Sequence, residues 1–306
     1  MRSRVTAALP VLPAVCLAML AGCAAAPPTP IAPPSPPRPP RDEITAAALT
    51  QALAGEHRSA DNRARDVYRH PLETLLFFGI KPDMTVVEVW PGPGGWYTEV
   101  LAPLLAERGK LYAAQVPPAP DNPFVTASRA AFADKLAARP ALYGKVTVTT
   151  LGSGGDDIAP PASCDMVVTF RNIHNWMNLG YAQGAFEAMA RALKPGGILG
   201  VVEHRADPAK PQDPRATNGY VNEEFAIALI ESAGFELLAR SEINANPRDT
   251  KDYEQGVWAL PPTWRAGNRD REKYQAIGES DRFTLKFRKK GSDPVSRQKV
   301  PESNPQ

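Results

Sequence analysis

Two short stretches of this chain carry more polar chemistry than folding alone requires. FRNIHNW, from Phe170 to Trp176, gathers Arg171, Asn172, His174 and Asn175. The chain has 4 histidines, and another of them, His204, ends the run GILGVVEH directly after Glu203. An imidazole titrates near neutrality, so either histidine can take a proton from an oxygen or a protonated nitrogen that must become a nucleophile. Glu203 can orient such an imidazole or pair with Arg205. The bland use of each histidine is a hydrogen-bonded structural side chain. No ligand pair has HxxxH or CxxC spacing, so no metal site is expected.

The second stretch is EVWPGPGGWYTE, Glu88 to Glu99, which follows the β-rich TVVEVW and precedes the helical YTEVLAPLLAERG. An acid ending a strand, a glycine turn and a helix start is the geometry in which backbone N–H groups meet a ligand. Glu88, Gly92, Gly94 and Gly95 fall in that context. The dinucleotide fingerprint needs a further glycine where this chain has Tyr97, so a nicotinamide oxidoreductase has only the fold in its favour. No lysine followed by serine or threonine closes the loop, which excludes the phosphate loop of nucleotide hydrolases. A ligand without phosphates remains.

The elements that must position these groups follow from hydrophobic periodicity. RDVYRHPLETLLFFGI is expected as one helix carrying Leu72, Leu75, Leu76 and Phe78, with Pro71 in its first turn and Gly79 near its end. KLYAAQ, KVTVTTL, CDMVVTF, GILGVVEH and ELLARSEI read as strands, and ASRAAFADKLAA, YAQGAFEAMARAL and NEEFAIALIESAGF as helices. KPGG, residues 194–197, is expected as a turn. DRFTLKFRKK closes the domain as a strand in which Phe283, Leu285 and Phe287 alternate. Alternating strands and helices imply an α/β fold with a mostly parallel sheet covered on both faces. In such a sheet the ligand crevice lies beyond the carboxyl ends of the strands, which is where FRNIHNW and His204 fall. Tyr68, Arg69 and His70 on the N-terminal helix, Trp176, and Tyr220 after a proline-rich loop are expected as a lid or as substrate contacts.

The glycine loop resembles the first motif of the class I S-adenosylmethionine-dependent methyltransferases, an acid at the end of strand one followed by glycines at alternate positions. Glu88, Gly92 and Gly94 match the acid and the second and third glycines, and Trp90 replaces the first. More narrowly, RHPLETLLFFGIKPDMTVVEVWPGPGGWYTEVL, FRNIHNW and DRFTLKFRK together look like a small group of bacterial methyltransferases of unknown substrate, over about residues 60 to 290. The resemblance implies a Rossmann-like class I methyltransferase fold, a mostly parallel seven-stranded sheet with an antiparallel last strand and helices on both faces, and S-adenosyl-L-methionine as cofactor. Carried over by position, the glycine loop would pack under the methionine part, and Glu88 would orient loop amides or the cofactor's amino group. Gln115 stands where the family has an acid for the ribose hydroxyls; a neutral amide makes the weaker bond. Asp156 or Asp157 matches the side chain that reads the adenine amine, and Arg171 and Asn172 border the same ligand.

The ends of the chain are not globular in composition. MRSRVTAALPVLPAVCLAMLAGC has the layout of a secretory signal, and Leu20, Ala21, Gly22 and Cys23 resemble a bacterial lipoprotein box. Pro10 and Pro13 argue against a membrane-spanning helix. The resemblance implies acylation of Cys23, and Ala24 lacks the aspartate that retains such proteins at the inner membrane. The expected location is therefore the cell envelope, lipid-anchored, at the outer membrane facing the periplasm. The expected organisation is a signal at 1–22, a Pro-rich linker at 23–42, an N-terminal helical segment at 43–80, a methyltransferase-like domain at 81–290 and a disordered tail at 291–306. Lys and Arg number 35 and Asp and Glu 33; the signal carries Arg2 and Arg4 and no acid, so its removal balances the signs. That balance gives no support to nucleic acid as a partner, and a small-molecule acceptor is expected instead. Cys16 leaves with the signal and Cys23 is the anchor, so Cys164 has no disulfide partner and reads as core packing. Because the signal sends the domain out of the cytoplasm, a ligand-binding protein that kept the fold without the reaction is the alternative function.

Overall fold

The computed structural model describes residues 41–291, so Cys23 with its signal, the linker up to residue 40 and the tail from 292 lie outside the described residues. Among the described residues no helix is long and apolar enough to cross a membrane.

Seven strands form one sheet in the order β3-β2-β1-β4-β5-β7-β6. They are β1 Thr85–Val89, β2 Lys110–Gln115, β3 Thr147–Thr150, β4 Cys164–Phe170, β5 Leu193–His204, β6 Phe235–Ser241 and β7 Arg282–Lys289. The first five pair in parallel, and β7 runs antiparallel between β5 and β6. The parallel part is what the alternation of elements implies, and the antiparallel last strand is what the resemblance implies. The helices are α1 Arg41–Ala54, α2 Ala60–Arg63, α3 Asp66–Arg69, α4 Pro71–Phe78, α5 Thr98–Leu105, α6 Pro123–Ala138, α7 Pro140–Tyr143, α8 Ile173–Leu179, α9 Ala182–Ala192, α10 Glu223–Ser232 and α11 Arg271–Ile277.

Strand residues alternate between two hydrophobic clusters, as a period of two requires. Val86 packs with Leu49, Leu75, Val100 and Leu101 under α1, α4 and α5. Val87 and Val89 point the other way, toward Phe186, Met189 and Ile230 of α9 and α10. Both faces are thus covered, the condition under which a parallel sheet buries its strands. Phe283, Leu285 and Phe287 are fully buried on the α9–α10 face. Cys164 is buried in the same cluster, and burial pushes its thiol up, which suits a packing role.

Two local expectations are corrected. The N-terminal helix is broken: α3 ends and α4 begins at His70, whose φ is 39°. Pro71 forces this, because a proline ring disfavours right-handed helix at the residue before it. KPGG lies inside the span of β5 instead of before it. The ladder pairs Cys164 with Leu193 and Met166 with Ile198, so residues 194–197 form extra chain at a register shift, turning at Gly196 with φ 76°.

Candidate active site

The glycine loop follows β1 as expected, but its fixed points are internal to the protein. Glu88 is buried and accepts a 2.6 Å hydrogen bond from Thr98 Oγ1 at the start of α5. Burial pushes its carboxyl up to about 7, and the Thr98 bonds and the distant Lys135 charge recover only part of the usual acidity. Glu88 thereby positions the loop from below and does not line the crevice. Gly92 has φ 71°, and a Cβ at Gly92 or Gly94 would meet nothing within 4 Å. The loop therefore offers open backbone there, whereas Gly95 is held against Phe132 and Thr98.

Trp90 takes a left-handed backbone, with φ 50°, a conformation that glycine adopts freely and other residues seldom do. Its indole Nε1 donates to the Leu151 carbonyl at 3.1 Å, and its ring meets Trp176 and Tyr181 edge-on. Leu151 follows β3, so a side chain just past β1 that reaches it crosses the carboxyl end of β2. Gln115 ends that strand, 2 % exposed, and its amide Nε2 has no partner. A buried N–H without an acceptor fits the approach of a ligand oxygen. Asp157 is exposed, 3.9 Å from Arg191. Asp156 is partly buried, and its charge bears on Tyr181 beside Trp90. Of the two acids, Asp156 is the one turned toward this flank. The open glycine backbone and the Gln115 amide fit S-adenosylmethionine, with the indole lying where the glycine motif would leave room.

Across the crevice, His174, Glu203 and His204 converge from the start of α8 and the end of β5. Glu203 is fully buried, and its oxygens accept from four N–H groups: Ile173 N at 2.6 Å, His174 N at 3.3 Å, His204 N at 2.8 Å and His174 Nδ1 at 3.0 Å. An acceptor so placed takes the Nδ1 hydrogen of His174 and leaves Nε2 pointing away from Glu203. Glu203 therefore orients His174, while Arg205 pairs with Glu223, Glu242 and Asp281. His204 lies with its ring centroid 5.3 Å from that of His174, its Nδ1 2.5 Å from Ser280 Oγ. Burial, then the charges of His174, Arg282, Arg171 and Arg69, push His204 well below the usual imidazole value. It stays neutral through the physiological range.

These three side chains also bring candidate metal-ligand atoms within 4.8 Å of one another, which spacing in sequence did not show because His174 comes from α8 and the other two from the end of β5. Two features direct the group to proton handling instead. The Glu203 oxygens are already engaged by N–H donors, and Arg171 and Arg282 border the same cavity with positive charge.

That cavity, about 230 Å³, runs from Trp90, Pro91 and Gly92 past Asn172, His174 and His204 to Arg171, Glu279, Ser280 and Arg282. Asn172 ties the two flanks, donating to Val89 O at 2.9 Å and Thr169 Oγ1 at 3.1 Å. Val257, Trp258 and the Pro261–Thr263 segment cover it, and Trp258 stands 6.0 Å from His174, ring to ring. A larger groove of about 540 Å³ near Ala48, Pro103 and Leu142 has few ionisable groups. Volume alone does not locate the chemistry.

Several expected lid residues sit elsewhere. Trp176 is fully buried, packed on Phe186 and Trp90, because α8 turns it into the core. Tyr220 is buried and pinned by its hydroxyl to Asp249 at 3.0 Å, its ring 6.3 Å from that of His204, and it does not line the cavity. His70 serves the break between α3 and α4, and Tyr68 packs against Gly278 while its carbonyl accepts from Arg282 at 2.8 Å. Arg69 lines a small void beside the crevice together with Arg171 and Arg282, held over the Trp96 ring at 4.7 Å. Sequence reasoning missed Glu279, Ser280, Arg282 and the Trp258 cover. The signal was available: an antiparallel β7 begins at the edge where parallel strands end, and His204 pairs with Arg282.

No family model matches this chain, and no curated protein matches it. Among solved structures, the [4+2]-cyclase SpnF is similar, with 18% identity, 84% of this chain and 98% of that chain covered, and a TM-score of 0.51. A SAM-dependent methyltransferase from Aquifex aeolicus is similar at 16% identity, over 79% of this chain and 97% of that one, with a TM-score of 0.49. At these identities the likeness is one of fold. With the strand order above, the architecture is the Rossmann-like methyltransferase fold.

Proposed function

We propose that this chain binds S-adenosyl-L-methionine against the glycine loop and transfers its methyl group to a small acceptor in the neighbouring cavity. The observation that carries the reading is the His174–Glu203 pair, a fixed imidazole whose Nε2 points away from Glu203, opening on the cavity that begins at Gly92. When bound, the cofactor supplies a methyl group already activated on a sulfonium. The residues of the chain then align the acceptor and remove its proton. In this reading His174 takes the proton at Nε2, Glu203 holds the imidazole and stabilises its cationic form, and neutral His204 accepts or relays a hydrogen bond beside it. Asn172 and the Gly92–Gly94 backbone keep the two ligands adjacent, and the Trp258 cover limits water.

Fold alone does not decide the reaction, since SpnF is named a cyclase. Trp90 favours a second reading, a binding protein that kept the fold without the transfer, because its indole crosses the end of β2. Calorimetric titration of the purified chain with S-adenosylmethionine and S-adenosylhomocysteine separates these. Binding of both in the micromolar range is expected, and no heat up to millimolar cofactor would sink the first reading. The same proposal places the protein in the cell envelope, anchored through a lipid on Cys23 and facing the periplasm. Cys23→Ala should move it from the membrane fraction to the soluble fraction.

A further inference from the structure

The wall of the cavity opposite the glycine loop is built from guanidinium groups with too few acids to balance them. Glu279 pairs with Arg65 at 2.6 Å, with Arg69 at 3.4 Å and with Arg282. Arg171, at the end of β4, has no side-chain hydrogen bond or ion pair among the described residues, and it borders the same space. Four guanidiniums thus stand around one carboxylate. Arg282 is 2 % exposed and Arg69 3 %, yet Arg282 Nε and Arg69 Nη2 have no acceptor. Both residues line a small void shared with Arg171, and Arg171 and Arg282 continue into the 230 Å³ cavity beside His174 and His204.

Buried N–H groups without acceptors are costly, and a fold retains them where a ligand completes them. We propose that Arg171, Arg282 and Arg69 form an oxyanion site for a carboxylate or similar anionic group on the methyl acceptor. The identification of the acceptor rests on the methyl-transfer reading above. The planar fork of arginine suits a two-oxygen anion, and a partly dry pocket strengthens each charge-assisted bond. Burial and the neighbouring guanidiniums also push Arg171 down to about 10 and Arg69 well below its usual value. Arginine does not give up its proton in a protein, so this strain is relieved by an anion and not by deprotonation. A cavity of 230 Å³ is under the roughly 300–1,000 Å³ of drug-sized sites, so the part of the acceptor inside is small. The aromatic cover of Trp258 above the histidines suits a flat anion such as an aromatic carboxylate.

Benzoate and its neutral isostere benzamide are the probes, titrated calorimetrically into the full chain in low-salt buffer. Benzoate should bind at least about tenfold more tightly than benzamide, since hydrogen bonds to charged partners are about twice as strong as neutral ones. Arg171→Met should erase that preference while the unliganded melting temperature holds or rises, because an unpartnered cation is removed. Arg171→Lys should recover part of it. Equal binding of the two probes, no binding of either, or a preference that survives Arg171→Met overturns the anion site. The cofactor's own carboxylate is the other source of the same chemistry. If Arg171→Met weakens S-adenosylmethionine binding by the same factor as benzoate binding, the acceptor assignment falls. If benzoate binds and S-adenosylmethionine does not, the anion site stands and the methyl-transfer reading fails.

Discussion

The two flanks of the crevice treat their polar groups differently. At the ends of β1, β2 and β3 the protein satisfies itself: Glu88 by Thr98, the Trp90 indole by Leu151, and Arg191 by the Gly155 carbonyl at 2.8 Å. Gln115 Nε2 is the exception there. At the ends of β4 and β5, the start of β7 and the nearby end of α3, polar capacity is left over: an Arg171 with no side-chain partner among the described residues, unused N–H groups on Arg69 and Arg282, and two histidines bordering the cavity. A flank closed on itself can be a rigid platform, and a flank with unmet donors is completed only by something that binds. In the proposed reading, ligand platform and chemistry are therefore built on separate strands of one sheet.

The largest way to break this division is at His174. His174→Ala should lower methyl transfer by about 10²- to 10⁴-fold, the usual contribution of a positioned base, with cofactor affinity changed little. Radiolabelled methyl incorporation and cofactor titration measure the two separately. If affinity falls as much as turnover, the histidine belongs to the platform and the division of labour is lost. Glu203→Gln tests the same flank from behind, because an amide cannot accept all four N–H groups that converge on Glu203. It should reduce turnover and move its pH profile.

On the platform flank, Glu88 makes stability depend on pH. In the unfolded chain this carboxyl loses its proton near 4.5, and in the fold only near 7. Between those values the native state holds more proton than the unfolded one, so this group's contribution falls as pH rises through that window and then levels off. The change is at most on the order of 3 kcal/mol. His204 acts in the opposite sense, since the unfolded imidazole binds a proton below about pH 6.5 that the buried one refuses. The two overlap, so neither is visible in wild type alone. The difference in urea unfolding free energy between wild type and Glu88→Gln, followed from pH 4.5 to 8, isolates Glu88 and should change steadily up to neutrality in favour of the glutamine variant. A difference independent of pH would mean that Glu88 is ionised throughout.

What the sequence revealed follows the same division. Strands and helices were legible because burial on both sheet faces imposes clear periods, as in CDMVVTF, which is β4 from end to end. The glycine loop and His174 were legible because each follows one strand directly. The Glu203–His174 bond was not, since it joins residues 29 apart on neighbouring strand ends. The Arg282–Glu279 wall was hidden further: it depends on β7 running backwards between β5 and β6, which brings the start of a late strand beside the end of an earlier one. Trp176 misled because adjacency to FRNIHNW in sequence became the inner face of α8 in space. The break at His70 was readable from Pro71, but the strong apolar period through α4 masked it.

The smallest expected effect is the most informative about whether the platform is ready for a ligand. Trp90 holds a left-handed φ of 50°, a conformation that costs a non-glycine residue roughly 1–3 kcal/mol, and the chain tolerates it where glycine would be free of that cost. Part of the cost is offset by the 3.1 Å bond to Leu151 and the edge contacts with Trp176 and Tyr181. Trp90→Gly therefore relieves strain and loses packing, so its melting temperature should move by only a few degrees, while the end of β2 and the Gln115 amide become open. If the indole obstructs S-adenosylmethionine, cofactor affinity should rise by about tenfold, equivalent to roughly 1.4 kcal/mol. If the indole instead forms part of the binding surface, affinity should fall by a similar factor, and the tryptophan would join the ligand platform. No change in affinity would separate Trp90 from the cofactor altogether and leave the platform to Gly92, Gly94 and Asn172.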